Sequence, residues 1–188
     1  MHATFRFTRS KNIFFCTLFL LGASGMASQA HALDAGLVAG SAVDDDVAKV
    51  GLVLGWDHSA EPLWQGRNWH LDLRHEVTAS QWLVKQHKDV FEVGYSPVLR
   101  LYRNTPPEQG RFFAETSIGL RLLSRTQVTA DKTVSTAFQF SDMIGVGYQW
   151  GQNARHTVGL RYQHISNASI KKPNPGVNFG VLYYQQSF

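Results

Sequence analysis

The chain has 188 residues, a formal net charge of +4 and one cysteine, Cys16. Residues 1–32 hold that cysteine and three of the 18 basic residues, Arg6, Arg9 and Lys11, but no acidic residue, so 15 basic and 14 acidic side chains remain beyond them. A net charge near +1 there excludes the basic footprint of a nucleic-acid-binding protein, and the lack of cysteine excludes disulfides and thiol chemistry.

In chain order, the first predicted element is a leader. Three positive residues precede an apolar stretch from Ile13 to about Leu21, and small residues then lead to Ala30-His31-Ala32. That order marks a secretory signal peptide cleaved after Ala32. The apolar run is shorter than the roughly 20 residues a spanning helix needs. Residues 33–188 are then one exported domain. None of its segments is continuously apolar over a spanning length, which excludes a helical membrane protein.

Alternation of apolar and polar residues recurs along this domain, and a period of two predicts strands. A short first strand is predicted over Gly36–Val43. Val50, Leu52, Leu54 and Trp56 then share one parity, and Trp69, Leu71, Leu73, His75 and Val77 another run of it. The fourth strand carries Phe91, Val93, Tyr95, Leu99 and Leu101, and the fifth Phe112, Ala114, Ile118, Leu120 and Leu122. Phe138, Phe140, Ile144, Val146, Tyr148 and Trp150 mark the sixth, and Val158, Leu160 and Tyr162 the seventh. Asn178–Phe188 is the last. Runs of about ten residues suit strands tilted across a bilayer.

The direction of the apolar face follows from the other parity. It contains Asp72, Glu76, Glu92 and Glu115 with Arg74, Arg100, Arg121 and Arg161. Four acids and four bases can neutralise one another inside a narrow barrel, and buried charges persist only when paired. The apolar parity, with aromatics near strand ends and a terminal Phe188, suits a lipid-facing band. The fold class is all-β: an eight-stranded antiparallel transmembrane β-barrel with a side-chain-filled interior. A soluble lipocalin-like carrier would require the opposite orientation. An even number of strands puts both termini on the periplasmic side and the seventh-to-eighth connection on the outer surface.

Chemistry concentrates at that connection. His164 and Ser166 are two apart on a strand, so they share the lipid-facing parity of Leu160 and Tyr162, and an imidazole at that spacing can serve a serine hydroxyl as base. Parity offers two groups to orient the imidazole. Asn178 stands on the last strand beside His164. Asp142 lies opposite His164 if the turn at Gly151–Ala154 pairs Trp150 with His156. The other histidines, His58, His70, His75, His87 and His156, show no metal-ligand spacing, and no cofactor is implied.

The stretch His164-Ile165-Ser166-Asn167-Ala168-Ser169-Ile170-Lys171-Lys172-Pro173-Asn174-Pro175-Gly176 resembles the signature of the PagL-type lipid A 3-O-deacylases. Phe140-Ser141-Asp142 and Phe112-Phe113-Ala114-Glu115 extend the likeness. The resemblance implies an outer-membrane ester hydrolase that removes the 3-linked 3-hydroxyacyl chain from lipid A of lipopolysaccharide. It implies Ser166 as nucleophile, His164 as base and Asn167 at the oxyanion hole, on the outer-leaflet side of the barrel. Lys171 and Lys172 are candidate contacts to lipid phosphates. Self-association into a homodimer stays open. One departure stands out: where the family pattern has a glutamate completing the triad, this sequence places Asn178. The competing readings are a noncatalytic OmpX-like surface barrel, in which His164 and Ser166 would point apart, and a lipid acyltransferase, which would need an acyl slot inside the charged lumen.

Overall fold

A computed structural model describes residues 33–188. The expected leader lies outside the described residues. Eight strands form the barrel: β1 (Asp34–Ala42), β2 (Val47–Asp57), β3 (Trp69–Val84), β4 (Val90–Arg103), β5 (Arg111–Leu123), β6 (Phe138–Trp150), β7 (His156–Ser166) and β8 (Val177–Ser187). Each pairs antiparallel with its neighbours in the chain. The ring closes where β1 meets β8, with Asp34 opposite Ser187 and Ala42 opposite Phe179. A two-residue strand, Trp64–Gln65, pairs with Leu71 and His70 near the start of β3. Both described termini lie at one end of the barrel, so the β7–β8 loop lies at the other, with the β1–β2, β3–β4 and β5–β6 loops.

The outward face is the apolar one. Phe112, Ile118, Ile144 and Leu160 are 71%, 70%, 66% and 57% exposed. In water such a belt would be a large unfavourable apolar surface; against hydrocarbon it is the wall of a membrane protein. Inside, Arg100 and Arg161 bridge Glu76 and Glu115 at 2.6 to 3.2 Å. Lys49 and Arg121 hold Glu92 at 2.8 and 2.9 Å, and the Trp82 indole N–H donates to the same carboxylate. Glu76, Glu115 and Glu92 therefore each have two cationic partners, which is what lets these charges remain in a closed interior. Backbone space matters as much: a Cβ on Gly147 or Gly159 would stand 2.2 Å from the Phe113 ring or 2.4 Å from the Tyr183 ring.

Three details differ from the sequence expectation. Asp72 is half-buried and faces His70 at 3.7 Å, while Arg74 pairs instead with Asp34 and Asp57. β3 continues past Thr78 to Val84 with its in–out alternation unbroken, but residue type inverts locally, with apolar Trp82 pointing in and polar Gln81 out. The interior is also not polar throughout. Beneath the outer loops, Trp82, Phe179, Ile165 and Val177 pack with Val128 and Val134 of the β5–β6 loop, all essentially inaccessible. That apolar plug is the floor on which the β7–β8 loop rests.

Candidate active site at the outer end of strands β6, β7 and β8

Strand alternation sets the site. At the end of β7 the Ile165 side chain turns inward into the plug, so its neighbours His164 and Ser166 turn outward, both half-buried. The hairpin between β6 and β7 pairs Trp150 with His156, and that register carries Asp142 to a position opposite His164. On the other side β8 places Asn178 opposite the same histidine. One outward row therefore crosses three strands as Asp142, His164 and Asn178.

Within this row the structure makes one contact. His164 Nδ1 lies 2.7 Å from Asn178 Oδ1. An amide oxygen only accepts, so Nδ1–H is the donor of this bond, and in the neutral tautomer that makes it Nε2 is the accepting nitrogen. Asp142 is exposed, and among the described residues no hydrogen bond joins it to His164. None joins His164 to Ser166 either. Catalytic hydrogen bonds often close only around substrate.

The imidazole is backed by glycine. Gly176 has φ +68°, and a Cβ there would stand 2.6 Å from the ring's Cε1 and 3.3 Å from Nε2. The residue just before β8 thus has to be glycine on two counts, conformation and space. The sequence motif contains Gly176 but does not disclose this role, because a contact between residues 12 positions apart has no signature in periodicity.

Asn167 departs from its expected place. Its side chain is fully buried, and its NH2 group donates to the carbonyls of Val134 and Lys171 at 2.9 and 2.8 Å. Both hydrogens are engaged in tying the β7–β8 loop to the β5–β6 loop, so this amide is not free to meet an oxyanion. Its backbone N–H donates to Asn174 Oδ1 at 3.0 Å. That bond orients the Asn174 amide and leaves its NH2 group without a partner among the described residues. The turn between them holds Ala168 and Ser169 at φ 50° and 63°, a left-handed pair that costs on the order of 1–3 kcal/mol per residue and is held by the surrounding bonds. Sequence reading passed over Asn174, although its setting between Pro173 and Pro175 stiffens the backbone that carries it.

Two surfaces adjoin the row. Down the outer wall from His164, Tyr162, Leu160, Ile144, Val146 and Ala114 line a shallow apolar groove that opens over Gly180. Above it, Lys172, Ser169 and Asn174 face Asp131 and Thr133 across an open depression. Lys171 and Lys172 are exposed. Among the described residues no group of three or more His, Asp or Glu side chains is placed to hold a metal ion.

The arrangement matches known proteins over most of its length. The family model described as lipid A 3-O-deacylase (PagL) matches residues 48–187. The lipid A deacylase PagL of Bordetella bronchiseptica is 38% identical over 136 residues, covering 70% of this chain and 74% of that protein. The lipid A deacylase PagL of Pseudomonas aeruginosa is 36% identical over 73 residues, 39% of this chain and 40% of that one. A crystal structure of the outer membrane enzyme PagL aligns with a TM-score of 0.73 at 25% identity, covering 82% of this chain and 99% of the other. With a closed eight-stranded barrel, an outward apolar wall and a family match across nearly all of it, this chain belongs to the PagL family of lipid A 3-O-deacylases.

Proposed function

We propose that this chain hydrolyses the ester holding the 3-linked 3-hydroxyacyl chain of lipid A, with Ser166 as nucleophile and His164 as general base. The observation that carries the reading is the bond from His164 Nδ1 to Asn178 Oδ1. It holds the tautomer in which Nε2 can accept a proton, and the row that bears it faces the membrane where the substrate lies. The apolar groove running down the same wall gives an acyl chain a place to lie beside the row.

In the first step Ser166 Oγ attacks the ester carbonyl and its proton passes to His164 Nε2. The tetrahedral intermediate collapses, the imidazolium returns that proton to the departing sugar oxygen, and the acyl group stays on Ser166. Water activated by the same histidine then releases the 3-hydroxy fatty acid. The developing oxyanion falls to the loop after the nucleophile. Its donors are the N–H groups of Ala168 and Ser169 and the uncommitted NH2 of Asn174, with Asn167 holding that loop in place rather than donating from its side chain. Lys171 and Lys172 are near enough in sequence to meet lipid phosphates at the outer surface.

The test compares release of 3-hydroxy fatty acid from lipid A in detergent by wild type, Asn178→Ala and Asp142→Ala. Asn178→Ala is expected to lower the rate by at least about tenfold through loss of the orienting bond. Asp142→Ala is expected to keep more than half the rate. The reverse order would move the third group to Asp142. Gly176→Ala is expected to slow release by about a hundredfold, because the added methyl displaces the imidazole by the order of 1 Å. Rates are normalised to the folded fraction read from gel mobility, and a wild-type rate would show that the ring does not need this backing.

A further inference from the structure

The Asn178 amide that receives the His164 proton has a second contact. Its Nδ2 lies 3.5 Å from Asp44 Oδ2 on the loop between β1 and β2. The two residues are brought together by barrel closure. Ala42 pairs with Phe179, and the Val43 N–H donates to the Asn178 carbonyl at 2.9 Å, so the next residue, Asp44, emerges beside the Asn178 side chain.

An amide in this position has a weakness that a carboxylate lacks: its two ends are nearly the same size and chemically opposite. Turned one way it accepts from Nδ1–H; turned the other it presents N–H hydrogens, drives the imidazole proton to Nε2 and leaves Ser166 without a base. Something must distinguish the two ends. A carboxylate can do so, since it only accepts and therefore draws the NH2 end to itself. Asp44 is the carboxylate in hydrogen-bond contact with Asn178. Asp142, the acid that faces His164 itself, lies on the opposite side of the imidazole on β6, and among the described residues no hydrogen bond joins it to the amide.

We propose that Asp44 is a positioning residue of the deacylation site, holding the Asn178 amide with its oxygen toward His164 so that Nε2 stays free for Ser166. The proposal rests on the reading of His164 as base given above. Asp44 touches neither substrate nor the reacting atoms. It acts through Asn178, and the first loop of the barrel thereby becomes part of a site otherwise built by its last three strands.

The test measures kcat and KM for fatty-acid release from purified lipid A in detergent by the full-length folded barrel. Asp44→Ala is expected to lower kcat about three- to tenfold with KM within twofold, the loss of one exposed charge-assisted hydrogen bond. Asp44→Asn, isosteric but with an NH2 end that can equally meet the Asn178 oxygen, is expected to lose most of what Asp44→Ala loses, because it no longer distinguishes the two ends of the amide. The deciding arm uses Asn178→Asp, whose side chain has no wrong way round. In that background Asp44→Ala is expected to cause no loss, and a gain where two neighbouring carboxylates had repelled each other. Unchanged kcat in Asp44→Ala, or an equal loss in both backgrounds, overturns the proposal, because a general disturbance of the loop would not depend on residue 178. Failure of the underlying reading is seen separately, as full activity in Ser166→Ala.

Discussion

Replacing Ser166 with alanine is expected to leave lipid A with its 3-linked hydroxyacyl group in cells whose outer membranes hold normal amounts of folded barrel. The rate with purified protein should fall by at least about a thousandfold, since the nucleophile of a covalent hydrolase has no substitute. Ser169 does not take over, because it lies in the left-handed turn beyond the strand and not in the row of His164. Stability is expected to stay within about 0.5 kcal/mol of wild type, because Ser166 Oγ makes no hydrogen bond among the described residues and is only half-buried. Mass spectra of lipid A from the two strains read the first expectation, and urea unfolding of the barrel in micelles reads the second. Loss of one 3-hydroxyacyl group in both strains would remove Ser166 from the mechanism.

The largest stability effect is expected at Glu115. Its carboxylate accepts from Arg100 Nε at 2.8 Å, from Arg161 Nε at 2.6 Å and from the Tyr183 hydroxyl at 2.9 Å. Glu115→Gln removes the charge but nearly keeps the shape, so two buried guanidinium groups are left to share Glu76 alone. Breaking one partner out of a buried ion network costs about 3–5 kcal/mol, because the cost is that of an uncompensated charge and not of one lost contact. The urea midpoint of the folded barrel should drop accordingly. The molecules that remain folded should keep their hydrolytic rate, since His164 and Ser166 face the opposite side of the wall. An unchanged midpoint would mean that water reaches the network and screens it.

The same opposition of faces explains why so much of the barrel could be read from the chain. Lipid on one side and paired charges on the other force a strict period of two, so Leu160, Tyr162, His164 and Ser166 could be placed on one face from spacing alone. The position of Asp142 opposite His164 also followed, because a short hairpin from Trp150 to His156 leaves little freedom of register. Reading failed where the environment changes along a strand. Beyond Thr78 on β3 the alternation of faces continues, but apolar Trp82 points in and polar Gln81 out, so residue type no longer reports the face. It failed again at Asn167, whose type suits an oxyanion donor but whose position after an outward Ser166 sends it inward, to carbonyls that only the folded loops bring near. Gly176 and Asn174 were invisible for a related reason: their contacts are made by loop closure, which leaves no periodic trace.

In the proposed mechanism Ser166 is a nucleophile made reactive by the outward imidazole two residues before it. A fluorophosphonate probe tests this directly, since Oγ attack on phosphorus expels fluoride and leaves a stable adduct in place of the acyl-enzyme. Incubated with the folded barrel in detergent, the probe is expected to modify the tryptic peptide Tyr162–Lys171 at Ser166 and to abolish hydrolysis in step with labelling, with labelling strongly slowed in His164→Ala. Inactivation with the adduct on any other residue, or Ser166 labelled as fast without the histidine as with it, would rule out this nucleophile–base pair.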